Sequence, residues 1–102
     1  MPYIVITTYT PYNNVAKVGE KWDEVVKGKR IDGVLSVKTL IGAHKKGYKS
    51  VLLHEIEQGK LEDAMGGILA NVLQFTTIEG FTYEMEIMAS QGEALQIQQE
   101  SA

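Results

Sequence analysis

The sequence contains no cysteine. That absence removes disulfides, thiolate nucleophiles and zinc–thiolate sites from consideration. Basic charge is also in short supply. The formal net charge is -3 and the pI about 5.3, which argues against a nucleic-acid binder driven by phosphate contacts, because such domains are basic. No apolar run approaches the roughly 20 residues that a membrane-spanning helix needs. The N-terminal stretch MPYIVITTYT has neither a positively charged segment nor a cleavage pattern, so it does not read as a signal peptide. A cytoplasmic protein is the simplest expectation. Only two histidines occur, His44 and His54. No H-x-H, H-E-x-x-H or carboxylate–histidine cluster accompanies them, and no metal or cofactor is expected. The ten glycines form no phosphate-loop or dinucleotide-binding pattern. Ser36, Ser50 and Ser90 lack the context of a nucleophile elbow.

What is present describes one small globular domain. The chain has 102 residues, of which 44% are hydrophobic and 23% charged, an ordinary balance for a folded domain. A domain this short buries only about two-thirds of its unfolded surface, so association would help it. Residues 1–89 carry the patterned segments. Residues 90–102 read as a polar, glutamine-rich tail, either frayed or helical, in which Ala94, Leu95 and Ile97 are the candidates for docking.

Tyr3 to Tyr9 alternates and is rich in β-branched and aromatic residues, which predicts a strand. Both of its faces carry apolar groups, so burial on both sides is expected. Pro11 ends it, because proline cannot donate to a ladder, and Asn13 and Asn14 are suited to cap the helix that follows. Val15, Val18, Trp22, Val25 and Val26 lie on one stripe at helical period. This predicts a surface helix ending near Gly28, with Trp22 anchored in the core. The stretch from Val34 to Gln58 reads as a hairpin around a polar turn, His44-Lys45-Lys46-Gly47. Placing His44 opposite Lys49 sets Lys38 against Glu55, Leu40 against Leu53 and Thr39 against His54, which matches opposite charges across the strands. A second helix starts after Gly59, with Glu62 and Asp63 in its first turn, where the helix dipole favours them. Its apolar stripe runs from Leu61 to Phe75, with Gly66 and Gly67 projecting outward. The segment GFTYEMEIM, residues 80–88, alternates as a final strand.

The order strand, helix, strand, strand, helix, strand predicts an α+β, ferredoxin-like βαββαβ fold. Right-handed crossovers give a four-stranded antiparallel sheet in the order 4-1-3-2 with both helices on one face. The other face would hold Tyr3, Val5, Leu40, Val51, Leu53 and Met88, an apolar patch that a soluble monomer avoids. A second copy packed sheet to sheet would cover it.

With that element order, its two-faced strands and the closing GFTYEMEIM strand, the chain resembles the dimeric α+β barrel superfamily over residues 3 to about 88. The likeness is nearest to small bacterial and archaeal members without an assigned activity. The superfamily includes cofactor-free monooxygenases, lactone isomerases, haem-degrading and haem-binding enzymes, and proteins with no known activity. The resemblance therefore implies a fold and a homodimer, and function only weakly. A larger assembly is a further option.

Chemistry, if present, is expected on the open sheet face. The catalytic candidates are Tyr9, His44, Glu84 and Glu86. Glu84 and Glu86 are two apart on one strand and point the same way, so crowding could raise one carboxylate's pKa and make it a general base; the plainer reading is a set of ion pairs at the dimer rim. Tyr3, Lys38, Leu40 and Glu55 are candidate ligand-binding residues. His54 reads as a core histidine, and Lys45, Lys46 and Lys49 as a solvated turn. Three functions compete on this reading: a homodimeric small-molecule-binding protein, a cofactor-independent oxygenase or isomerase acting on a small phenolic or lactone-like compound, and a structural or assembly protein. The first is the best supported by the residues, and neither nucleic acid nor membrane is expected as a partner.

Overall fold

The computed structural model describes residues 2–45 and 47–89. The expectations for Lys46 and for the tail, Ala94, Leu95 and Ile97 included, lie outside the described residues. Seven elements follow in order: β1 (Pro2–Pro11), a short 3-10 turn (Tyr12–Asn14), α1 (Val15–Val25), β2 (Val34–His44), β3 (Gly47–Ile56), α2 (Leu61–Phe75) and β4 (Thr82–Ala89). The strands form one sheet in the order β2-β3-β1-β4, with every neighbouring pair antiparallel. This is the expected order 4-1-3-2 read from the other edge, and the fold is ferredoxin-like.

β1 is central and is buried on both faces. Ile4 and Ile6 are sealed against the helices, while Val5 and Thr7 on the opposite face are also buried, flanked by side chains of β3 and β4. Ile4, Ile6, Ile56, Ala64 and Ile68 form the main core, with Ile31, Leu52, Val72 and Met85 packed around it. Each fully buried isoleucine contributes on the order of 1.5–3 kcal/mol through removal from water. A second cluster, Phe75, Ile78 and Phe81, joins the end of α2 to the start of β4. The Phe75 and Phe81 rings stack at 5.5 Å between centroids. Trp22 is only partly buried against this cluster, not enclosed in the core as expected.

Asn14 is a buried tie and does not cap α1. Its side chain makes no cap hydrogen bond. Instead Nδ2 donates to the Glu79 carbonyl at 2.6 Å and fixes the start of α1 to the turn before β4. At the hairpin turn, by the same end of β1, the Tyr12 hydroxyl donates to the His44 carbonyl at 2.7 Å, and the Tyr12 ring meets Tyr48 edge-on at 4.9 Å.

The hairpin register differs from the expected one by two residues. His44 faces Gly47, Gly42 faces Lys49, Lys38 faces Leu53 and Val37 faces His54. The turn is tighter than the charge pairing suggested. Gly47, at the start of β3, lets β1 approach closely, since any side chain there would run into the Thr10 carbonyl. A shift of two preserves which face each residue occupies, so the face assignments survive while Lys38 and Glu55 are not opposed. A bulge between Val34 and Ser36 makes Leu35 the extra residue, and Val34 takes the place opposite Ile56 that alternation would have given a neighbour. On α2, Gly67 does not project outward. A Cβ there would lie 2.5 Å from Ile31 Cγ2, so this glycine admits Ile31 of the α1–β2 connection, whereas a Cβ at Gly66 would meet nothing.

Candidate functional site

The helices are shorter than the strands they cover. An 11-residue α1 is about 16 Å long and an 11-residue β2 about 36 Å. The helix-side residues of β2 are consequently bare, with Val37 48% and Ile41 69% exposed. Between the helices and the β2–β3 half of the sheet lies an open groove of about 830 Å³, within the size range of small-molecule sites.

The groove's floor follows the strand register. Val37 and His54 lie side by side with Ile4, then Thr39 and Leu52 with Ile6, then Ile41 and Ser50 with Thr8, then Ala43 and Tyr48 with Thr10. Along this floor the apolar end gives way to the hydroxyls of Thr8, Ser50, Thr10 and Tyr48. α1 supplies one wall through Val15, Val18, Gly19 and Trp22, and α2 the other through Ile68, Asn71, Val72 and Phe75. Lys29 and Arg30, in the connection between α1 and β2, also line the groove, and among the described residues no aspartate or glutamate does. In a chain whose net charge is -3, this groove is locally cationic.

Gly19 lines the groove from inside α1. A Cβ built there meets nothing within 4 Å. A mid-helix glycine costs about 1 kcal/mol relative to alanine. No neighbour among the described residues requires its absence of a side chain; the space it leaves belongs to the groove.

His54 is 5% exposed. Its Nδ1 lies 3.0 Å from the Ile4 carbonyl oxygen. A carbonyl only accepts, so Nδ1 carries the proton and, in the neutral ring, Nε2 carries a lone pair. Burial lowers the pKa of His54 from its ordinary 6.5, outweighing the Ile4 and Leu52 carbonyls, which favour the protonated ring.

The eight residues singled out from sequence all lie on the opposite, open face of the sheet. Tyr9 and His44 come together, with ring centroids 5.8 Å apart in an edge-on arrangement; they share a hollow of about 300 Å³ at the hairpin end of the sheet. Lys49 Nζ sits 5.9 Å from the centre of the Tyr9 ring. Glu84 faces Thr7 and Glu86 faces Val5 on the β4 edge, which places Glu84 diagonal to Tyr9. Neither glutamate lines the hollow. Tyr3 faces Glu55, Lys38 faces Leu53 and Leu40 faces Val51. Lys38 and Leu40, on the β2 edge, stand three strand spacings from the glutamates, about 14 Å. Among the described residues, no three His, Asp or Glu side chains gather as a metal site, and no helix is long and apolar enough to cross a membrane.

Sequence reasoning did not place Trp22, His54, Lys29, Arg30 or Gly19 in a common site. Two signals were available. Hydroxyl residues Thr8, Thr10 and Ser50 interrupt the otherwise apolar helix-facing set, and Gly19 breaks the apolar stripe of α1. Both mark surface that the chain leaves without a hydrophobic partner.

The fold is similar to that of Rv0793 from Mycobacterium tuberculosis, with a TM-score of 0.61 and 16% sequence identity over 88% of this chain and 95% of that one. A weaker likeness, TM-score 0.46 and 9% identity, covers 92% of this chain and 95% of a candidate PII-like signalling protein from Thermus thermophilus. No protein-family model and no curated protein matches the chain. The likeness to Rv0793 is one of fold alone.

The buried, neutral state of His54 has a thermodynamic consequence. Its folded pKa lies below 6.5, so as the pH falls below 6.5 the unfolded chain takes up the proton first, and stability declines through that window. Urea unfolding at about pH 7.5 and about pH 5.5 should show a larger loss of stability for the wild type than for His54→Gln. Equal losses in the two proteins would show that His54 does not titrate in this way.

Proposed function

We propose that this chain is a homodimeric small-molecule-binding protein whose ligand occupies the groove between the helices and the β2–β3 half of the sheet. The open groove itself carries the reading: about 830 Å³, walled by Trp22, Val18, Val72 and Phe75, with hydroxyls along part of its floor and Lys29 and Arg30 as its charged groups. An organic anion with an apolar body complements such a surface. The body displaces water from the walls, and its charge meets two cations with no carboxylate among the described lining residues to oppose it.

Gly19 provides the test. Leucine at this position adds a side chain directed into open space and improves helix propensity, so the fold should persist while the groove fills. Calorimetric titration with naphthoate should give measurable binding to the wild type, and Gly19→Leu should weaken it more than about tenfold with an equal or higher melting temperature. Unchanged affinity in Gly19→Leu, or no binding of any aromatic or aliphatic acid to the wild type, would remove the groove as the site.

The homodimer in this proposal forms through the open sheet face. Leu40 and Met88 there are 50% and 44% exposed, beside Tyr3, Val51 and Leu53. The charges on this face are arranged by row. One row runs Lys38, Leu53, Val5, Glu86 and the next Leu40, Val51, Thr7, Glu84, so one edge is basic and the other acidic. A two-fold axis parallel to the strands lays the β2 edge of one copy over the β4 edge of the other and sets Lys38 against Glu84 and Glu86. An axis perpendicular to the strands would oppose the glutamates to themselves, which is unfavourable. Sedimentation should therefore show a dimer that Lys38→Glu weakens about tenfold and that Lys38→Glu combined with Glu86→Lys restores. A wild-type monomer at micromolar concentration, or a double variant no better than the single one, would contradict this packing.

A further inference from the structure

His54 has a feature that a core histidine does not need. It lies on the groove floor between Val37 of β2 and Ile4 of β1, and its Nδ1 proton is committed to the Ile4 carbonyl. Nε2 is then an acceptor. No hydrogen bond to it occurs among the described residues, yet no described side-chain nitrogen or oxygen that is sealed from solvent lacks a partner. Nε2 is therefore not sealed, and the space it can open to is the groove that His54 lines. The side chains next to His54 on the floor, Leu52, Ile6 and Val37, are apolar, and beside the Ile4 carbonyl the Leu52 carbonyl also acts on the ring. An oriented acceptor in an otherwise apolar stretch favours a partner that brings a hydrogen-bond donor, because an apolar group placed there leaves the nitrogen unpaired.

From this geometry we infer that His54 is a specificity-determining residue of the groove. Its Nε2 accepts a hydrogen bond from a hydroxyl or N–H of the ligand, so that a hydroxylated aromatic acid binds in preference to its methoxy or unsubstituted counterpart. The inference rests on the groove being the binding site and adds what the groove reads: an anionic group near Lys29 and Arg30, a flat apolar body along Trp22 and Val72, and a donor directed at His54. Sites that pair a buried polar group with a ligand hydroxyl reject analogues lacking it more strongly than apolar pockets reject a change of size.

Calorimetric titration with hydroxynaphthoate, methoxynaphthoate and naphthoate tests this. At about pH 7.5 the wild type should bind the hydroxy acid roughly tenfold more tightly than the methoxy acid. His54→Leu should bind the two equally, and His54→Gln, which retains an acceptor, should keep part of the preference. Lowering the pH protonates Nε2 and turns it into a donor, so the hydroxy-over-methoxy ratio should fall in the wild type and not in His54→Leu. The other charged or titratable groups lining the groove are Lys29 and Arg30 from the α1–β2 connection and Tyr48 from β3; β1, β2 and both helices contribute none. Their effects are common to both probes and cancel in the ratio. Should His54→Leu fail to fold, the wild-type ratio, its pH dependence and His54→Gln decide the matter. If all three acids bind the wild type equally, the role of His54 is overturned while the groove stands. If none binds, both fall together.

Discussion

A helix advances about 1.5 Å per residue and a strand about 3.3 Å. In this chain that difference shapes the whole molecule. The two helices have 11 and 15 residues and must cover strands of 8 to 11. They seal the centre of the sheet, where Ile4, Ile6, Ile56 and Ile68 make a dry core. They cannot also reach the full length of β2. The uncovered remainder is a groove, and its chemistry is graded: apolar beside the core, hydroxylic toward the hairpin end, cationic where the α1–β2 connection crosses. A deficit of cover on one face of the sheet creates the candidate site. On the other face no described element covers the sheet, which motivates the dimer.

Much of the fold was legible because it depends on periodicity, which the sequence displays directly. The alternation of β1 and β4, the stripe of α1 and the hairpin signal around His44 to Gly47 are sufficient to specify element order, and element order with right-handed crossovers leaves one sheet topology. The register was less accessible. Charge matching favoured Lys38 opposite Glu55, a pairing worth a few tenths of a kcal/mol on an exposed face. The tighter hairpin, with His44 facing Gly47, outweighs it, and the start of β3 lies close under β1, where only glycine fits beside the Thr10 carbonyl. The bulge at Leu35 was invisible for a similar reason, because alternation continues through a segment in which one residue is simply unpaired.

The groove was harder to read than the fold. Trp22 and His54 both lie on faces that alternation assigns to the core, and burial is the usual meaning of such a position. What alternation does not show is how far a helix extends over the strand beneath it. That is a question of length in ångströms. The Thr8, Thr10 and Ser50 hydroxyls and Gly19 in the α1 stripe were the residues that did not fit a sealed interior, and the structure brings all of them to the groove. The candidate residues on the opposite face are likewise gathered by geometry, with Tyr9 and His44 in edge-on contact and the acidic and basic edges set apart across the sheet.

The central claim is that the uncovered side of the helix layer holds the ligand while the bare sheet face holds the second copy. Backbone amide chemical shifts followed during titration with naphthoate separate the two surfaces most directly. The account predicts changes concentrated at Val18, Trp22, Leu52, His54 and Val72, with Leu40, Val51, Leu53 and Met88 unmoved. Changes concentrated on the second set, with the first unmoved, would contradict it.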